Sequence, residues 1–146
     1  MNNKGFTLIE LLAVMLILGL ISAIAYPNVT GIINDNKKEK VLEDSKALVS
    51  LAKYELTKNS NVRDSIDSEG IRYTLGEIDE KNTITVDPNG ESYDRSTSYV
   101  KVYKQNSTIK YCVYLDSNNY SLSNNGNCVE YEGITGDNSK NYVEIK

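Results

Sequence analysis

The 146-residue chain lacks histidine and tryptophan, and it has only two cysteines, two prolines and one phenylalanine. Without histidine there can be no Ser-His-Asp triad, no Cys-His dyad and no zinc site with a histidine ligand. Two cysteines are too few for a four-cysteine metal cage, and the phosphate-binding motifs G-x-x-x-x-G-K and G-x-G-x-x-G are absent as well. We therefore expect neither an enzyme nor a cofactor-binding protein, and we predict a structural or binding protein.

Apolar residues are distributed unevenly along the chain. Residues 6–26 contain 17 apolar residues and one charge, Glu10, whereas the 120 residues from Pro27 onward contain 40, ten of them tyrosines. This pattern excludes a uniform globular domain and predicts an apolar rod joined to a polar body with a modest core. With 20 acidic against 16 basic residues in the whole chain, a nucleic acid is not expected as a direct ligand, because that would need a basic face.

Residues 6–26 are long enough to cross a membrane. As a helix with a rise of about 1.5 Å per residue they extend for about 31 Å, the thickness of the hydrocarbon layer. Lys4 precedes them, so the positive-inside rule keeps the amino end in the cytoplasm and places the body outside. The alternatives are a cleaved secretory signal, for which residues 23–25 read Ala-Ile-Ala, and a plain single-pass anchor. Neither alternative explains Glu10, since an acid within a membrane segment is costly and is usually paired.

A removed leader would supply a partner for Glu10. Cleavage between Gly5 and Phe6 would create an α-ammonium group on Phe6, about 6 Å along the helix from Glu10. The Phe6 amine of one copy could also meet Glu10 of a neighbour shifted by about one turn, and a low-dielectric helix bundle would strengthen that attraction. Such a pairing would set the axial register between subunits.

The residues around this bond resemble a known signal. Residues 4–12, Lys-Gly-Phe-Thr-Leu-Ile-Glu-Leu-Leu, resemble the class III signal of type IV prepilins with the short leader of the type IVa group. The resemblance covers residues 3–27, and beyond Pro27 only the general layout agrees. It implies an α+β pilin, in which a long N-terminal helix carries a small antiparallel sheet.

The resemblance also implies roles for individual residues. Gly5 would be the leader residue that the prepilin peptidase requires, and Phe6 would be the N-methylated first residue of the mature protein. Glu10 would be the acid needed for assembly. Gly19 and Pro27 fall where the family has its helix-weakening residues, which agrees with the cost of about 1 kcal/mol for glycine and about 3 kcal/mol for proline inside a helix.

Beyond the apolar rod, the helical period continues and then gives way to strand patterns. The helix is expected to continue to about Lys58 and to end near residues 59–61, with an apolar stripe on its second half. That stripe comprises Val41, Leu42, Ser45, Leu48, Val49, Ala52 and Leu56. We expect a leader at 1–5, a transmembrane and filament-core helix at 6–26, its amphipathic continuation at 27–61, a connecting loop region at 62–98, and an antiparallel sheet with a disulfide loop at 99–146.

Alternating residues predict the strands of the body. Residues 98–104, 108–116 and 120–122 are expected to form a meander with turns at 105–107 and 117–119, and residues 141–146 an edge strand. Residues 71–75 and 83–86 also have strand-like patterns, residues 87–90 (Asp-Pro-Asn-Gly) predict a turn, and residues 133–141 look loose. Residues 116–119 and 137–139 resemble calcium loops only faintly, and Asx turns are the better interpretation.

The two cysteines, Cys112 and Cys128, are 16 residues apart. Outside the cytoplasm we expect them to form a disulfide, which would stabilise the fold by about 3 kcal/mol in the chain-entropy model. The alternative is two independent small core residues. Many members of the resembled family close a C-terminal loop with a disulfide, although Cys128 stands 18 residues short of the end here.

These observations predict a structural subunit that polymerises through its helix into a surface filament of identical copies. Before assembly it would be a single-pass protein of the cytoplasmic membrane with its body outside. The resemblance implies three further partners, namely a prepilin peptidase that also methylates, an assembly ATPase and a membrane platform. Pseudopilins of type II secretion or competence systems share the leader and are the first alternative. A membrane-anchored extracellular binding or sensor domain is the alternative from a different class.

Overall fold

The computed structural model describes residues 5–146, and the side chains of all of these except residues 27 and 28. The chain divides into two units, Met1–Asn36 and Lys37–Lys146. Helix α1 runs from Leu8 to Lys58, as the sequence predicted. A helix of this length needs apolar surfaces that can be covered. Its first part is apolar on all sides, and its second part has one apolar stripe.

The second part of α1 carries the core of the unit Lys37–Lys146. The predicted stripe is confirmed, because all seven of its residues are buried. Within the same stretch Asp44 is also buried, and its carboxylate accepts hydrogen bonds from Lys40 and from the hydroxyl of Tyr93. The Lys40 ammonium therefore compensates a charge that would otherwise be costly at the face of a helix that packs on a sheet.

The predicted α+β arrangement is confirmed, and its sheet is antiparallel throughout. After α1 the elements are α2 Ser60–Asp64, β1 Ile71–Thr74, α3 Leu75–Ile78, β2 Tyr99–Gln105, β3 Thr108–Asp116, β4 Tyr120–Leu122, β5 Val129–Glu130, α4 Tyr131–Thr135 and β6 Val143–Ile145. A 3₁₀ turn at Ser139–Tyr142 precedes β6. In the sheet the strands lie in the order β1-β2-β3-β4-β6, and β5 also pairs with β3.

The predicted meander is present as β2, β3 and β4, and β6 forms an edge strand as expected. One turn is shorter than predicted. Gln105 pairs with Thr108, so the hairpin has a two-residue loop rather than a loop of residues 105–107. Asn106 and Ser107 have φ angles of 48° and 63°, the left-handed conformation of a type I′ turn, whose twist matches that of the flanking strands.

Residues 83–86 do not form the strand that their β-branched pattern suggested; only Val86 makes an isolated bridge, to Ser92. The reason is the buried carboxylate of Asp79. It accepts the backbone N–H groups of Thr83 and Ile84 at 2.8 and 2.9 Å, so a side chain takes the place of a neighbouring strand. The strand predicted at residues 71–75 is present as β1. It lies at the edge of the sheet opposite β6.

Residues 133–141, expected to be loose, lie largely in α4 and the 3₁₀ turn. Ile134 is fully buried and anchors this segment. Gly133 lies so close to its neighbours that an added Cβ would come within 3.0 Å of Val129 and 3.2 Å of Tyr142. The prediction was wrong because a single buried isoleucine and a close-packed glycine leave no periodic pattern in so short a stretch.

Candidate processing and assembly site

The bond expected to be cleaved lies before the helix begins. Residues 5–7 are not helical, and both Gly5 and Phe6 are exposed, Phe6 with 85% of its surface accessible. A peptidase needs a scissile peptide whose N–H and C=O groups are not engaged in a helix, and this geometry meets that need. The preceding residues 1–4 of the expected leader lie outside the described residues.

Glu10 has a partner that the sequence analysis missed, the neutral residue Thr7. Its carboxylate accepts the backbone N–H of Thr7 at 2.9 Å and the Thr7 hydroxyl at 2.7 Å. In return, the backbone N–H of Glu10 donates to the Thr7 hydroxyl oxygen at 3.4 Å. These reciprocal bonds form a capping box at the start of α1, and the spacing Thr-x-x-Glu before an apolar run is the sequence signal that could have revealed it.

The capping box gives Glu10 a role in the uncleaved chain. It satisfies N–H groups that every helix start leaves without an intrahelical partner. The donors are neutral, and among residues 5–146 no cation is paired with this carboxylate. A group that replaced Thr7 as donor and also carried a positive charge would bind this carboxylate more strongly.

The apolar side chains on the first part of α1 are exposed in the described part of the chain. Among the described residues, α1 alone is long and apolar enough to cross a membrane by length and composition, and none of its most apolar stretch is buried. Ser22 does not interrupt this surface, because its hydroxyl donates to the carbonyl of Leu18 at 2.8 Å within the helix. The exposed apolar side chains do not stop at residue 26: Val29, Ile32 and Ile33 are exposed too.

The two expected helix-weakening residues lie inside α1. The helix continues through both Gly19 and Pro27, while the side chain of Pro27 lies outside the described part of the chain. At Gly19 an added Cβ would meet no atom within 4 Å. The single copy therefore gives no packing reason for this glycine, and its role in weakening the helix stays a prediction.

The cysteines form the expected disulfide. Cys112 on β3 is bonded to Cys128, which lies just before β5, with their Cα atoms 5.4 Å apart. The bond closes a loop that contains the end of β3 and all of β4. The alternative of two independent core residues is excluded for this structure.

Residues 116–119 form a hydrogen-bonded turn. The side chain that accepts its N–H groups is that of Ser117 and not that of an aspartate. The Ser117 hydroxyl accepts the N–H groups of Asn119 and Tyr120, at 3.3 and 3.0 Å, while Asp116 pairs with Lys146 at 2.6 Å. Ser117 also donates to the buried carboxylate of Asp87 at 2.8 Å.

Asp87 begins the predicted turn at residues 87–90, which is confirmed. The Gly90 N–H donates to the Asp87 carbonyl at 2.9 Å, and Gly90 has a φ of +89°. Burial by itself would raise the pKa of the Asp87 carboxyl, but hydrogen bonds from Ser117, from Asn119 and from backbone N–H groups outweigh it and hold the pKa below its ordinary value. This network ties the turn to the β3–β4 connection.

Residues 1–26 match the family model described as the prokaryotic N-terminal methylation motif. This motif is the class III signal of type IV pilins and pseudopilins, so the resemblance of the N-terminal segment is confirmed. No curated protein and no solved structure matches the chain significantly. The motif supports a pilin-like or pseudopilin-like exported subunit; it implies processing by a prepilin peptidase and assembly into a pilus-like polymer.

Proposed function

We propose that this protein is the structural subunit of a type IV pilus, with no catalytic role of its own. One observation carries the proposal: the methylation motif and the exposed apolar surface of α1 occupy the same segment. A membrane can cover this surface before assembly, and the helices of other copies can cover it afterwards. Because both environments are apolar, the transfer from one to the other changes little in hydrophobic free energy.

The extent of the apolar surface favours a helix bundle over a plain anchor. The segment 6–26 already matches the thickness of the hydrocarbon layer, at about 31 Å. Val29, Ile32 and Ile33 lie beyond it and are about half exposed or more. Their spacings of three and four residues put them on one side of the helix. In a plain lipid anchor these side chains would lie beyond the hydrocarbon layer and stay exposed to water, whereas the helices of neighbouring copies would bury them.

Cleavage would change the partner of Glu10. In the uncleaved chain its carboxylate is held by the capping box with Thr7. Removal of residues 1–5 gives Phe6 an α-ammonium group one residue before that box. The ammonium group adds the positive charge that Thr7 lacks, either within the same copy or on a neighbour shifted along the axis. Charge-assisted hydrogen bonds are about twice as strong as neutral ones, so the new pairing would select an axial register.

The proposal includes partners and places. A prepilin peptidase would cut between Gly5 and Phe6 and methylate the new amine, and an assembly ATPase with its membrane platform would extract the subunits. The precursor would sit in the cytoplasmic membrane with its body outside, and the assembled form would lie on the cell surface. Adhesion, twitching motility or DNA uptake would then be uses of the same filament.

Substitutions at Glu10 and Thr7 separate the charge from the capping box. Glu10→Gln keeps a side-chain oxygen that can accept the same bonds, since glutamine also serves in capping boxes, but it removes the charge. Thr7→Val keeps the charge and removes the hydroxyl. Glu43, an exposed acid on the second part of α1, provides the control Glu43→Ala.

The assay is the amount of protein released by shearing intact cells, compared with the processed protein left in the membrane. We expect Glu10→Ala and Glu10→Gln to be inserted and processed but absent from the sheared fraction, and Thr7→Val and Glu43→Ala to remain in it. Normal filaments from Glu10→Gln would refute charge pairing. Processed wild-type protein that never reaches the sheared fraction would instead indicate the pseudopilin class, and unprocessed protein a plain membrane anchor.

A further inference from the structure

The chain contains two Asn-Gly pairs, Asn89-Gly90 and Asn125-Gly126, in which an asparagine side chain can react with the backbone nitrogen that follows it. Glycine permits this reaction best because it has no side chain to block the approach to its nitrogen. The two pairs differ in the hydrogen bonds that hold the asparagine side chain and the glycine nitrogen.

Asn89 is held on both reacting sides. Its side-chain oxygen accepts hydrogen bonds from the Lys37 ammonium at 2.8 Å and from the Tyr120 hydroxyl at 3.3 Å. The nitrogen that would attack, that of Gly90, donates to the Asp87 carbonyl at 2.9 Å. These three bonds hold the side chain and the attacking nitrogen in place and so oppose the reaction at this pair.

Asn125 lacks these restraints. It lies with Gly126 at the tip of an exposed two-residue turn, where Asn124 and Asn127 exchange backbone hydrogen bonds of 2.8 and 3.0 Å. Within residues 5–146 no carbonyl accepts the Gly126 N–H, and the one bond shown for the Asn125 side chain is a long contact of its Nδ2 with Asn124, at 3.4 Å. Asn125 has a φ of 50°, in the left-handed region that asparagine tolerates in tight turns.

We propose that Asn125 is a site of spontaneous deamidation in the folded protein and that Asn89 is protected from it. The Gly126 nitrogen loses its proton and attacks Cγ of Asn125, and the side-chain nitrogen leaves as ammonia. Water then opens the resulting succinimide at either carbonyl. The products are aspartate, or isoaspartate with one additional carbon in the main chain.

The modification changes an exposed part of the loop that the disulfide closes. Either product makes the chain one unit more negative than its net charge of −4 at pH 7. Isoaspartate would also lengthen the main chain between Asn124 and Asn127 and so disrupt their paired hydrogen bonds. Copies of different age would therefore differ in charge at this turn. The inference concerns the folded chain alone and does not depend on the proposed filament.

The test is a time course of the full-length, disulfide-bonded protein in mildly alkaline buffer, followed by trypsin digestion and mass spectrometry. Cleavage after Lys81 and Arg95 isolates Asn89 in residues 82–95, and cleavage after Lys110 and Lys140 isolates Asn125 in residues 111–140. Fragment ions locate the replacement of NH₂ by OH. The reduced and urea-unfolded chain serves as the control, since the two pairs lose their structural difference there.

In the folded protein we expect Asn125 to react at least about tenfold faster than Asn89, because the bonds around Asn89 oppose the reaction. In the unfolded control we expect the two rates to agree within about twofold, since the intrinsic chemistry is the same. Equal rates in the folded protein, faster reaction at Asn89, or no reaction at Asn125 while the unfolded chain reacts would each overturn the proposal.

Discussion

Removal of the disulfide is expected to destabilise the unit Lys37–Lys146 by an amount that follows from the position of the bond. The cysteines are separated by 16 residues, and closing a loop of that size is worth about 3 kcal/mol in the chain-entropy model. The loop contains β4, which carries the pairing with β6, so its release loosens one side of the sheet. For a unit of this size the loss corresponds to a fall in melting temperature of about 10–15 °C.

Two perturbations test this value independently. The double variant Cys112→Ala/Cys128→Ala removes the bond and its sulfur atoms, and reduction of the wild-type protein removes the bond alone. Cys112 is buried and Cys128 only partly, so the variant also creates a small cavity at one position. We therefore expect the variant to be slightly less stable than the reduced protein, by about 1 kcal/mol.

The measurement is urea unfolding of the full chain in detergent, followed by circular dichroism at neutral pH. The expected result is a loss of about 3 kcal/mol on reduction and about 4 kcal/mol in the double variant. A loss below about 1 kcal/mol in both would refute the reasoning that loop closure stabilises this sheet. A large loss in the variant with none on reduction would show that packing of the sulfur atoms matters and the bond does not.

Two further predictions concern the body. Burial would raise the pKa of the Asp79 carboxyl, but the hydrogen bonds that it accepts outweigh burial, and its pKa, like that of Asp87, lies below the ordinary value of 3.8. Both groups therefore stabilise the fold above that value, and urea unfolding across a pH series should show constant stability from about pH 7 to 5 and a fall below about pH 4; stability that rises below pH 4 would contradict this. Gly70→Ala should cost about 3 kcal/mol or more, because φ is +74° and the new Cβ would lie 2.3 Å from the Val102 carbonyl oxygen. The matched control Gly90→Ala, with φ of +89° and open space around it, should cost about 1–2 kcal/mol, and equal losses in the two variants would refute the steric argument.

Features with a local period could be predicted from the sequence. The apolar run that begins at Phe6 and the stripe from Val41 to Leu56 depend only on spacing along one helix, and both were found where expected. The strands β2 and β3 were predictable because their sequences alternate; burial follows this alternation in β2, whereas in β3 the adjacent Cys112 and Val113 are both buried.

Features that depend on one distant or unusual contact could not be predicted in this way. Residues 83–86 have a strand-like pattern, yet Asp79 binds their backbone groups and replaces a neighbouring strand. The short α4 has one fully buried side chain, Ile134, and a helix of five residues is too short to show a helical period.

At the candidate processing and assembly site, some features were predicted from the sequence and others were not. The apolar character of the segment followed from composition, whereas the exposure of Gly5 and Phe6 became visible only in the structure. The capping box between Thr7 and Glu10 has the sequence signal Thr-x-x-Glu, which the sequence analysis did not use. A second capping box, formed by Thr74 and Glu77 at the start of α3, follows the same rule.

The most direct test of the central claim is the N-terminal sequence and intact mass of the protein sheared from cells. The account predicts a chain that begins at Phe6, bears one methyl group on its α-nitrogen and keeps the Cys112–Cys128 bond. A surface protein that begins at Met1, or one that begins at Tyr26 after cleavage of a secretory signal, would contradict it.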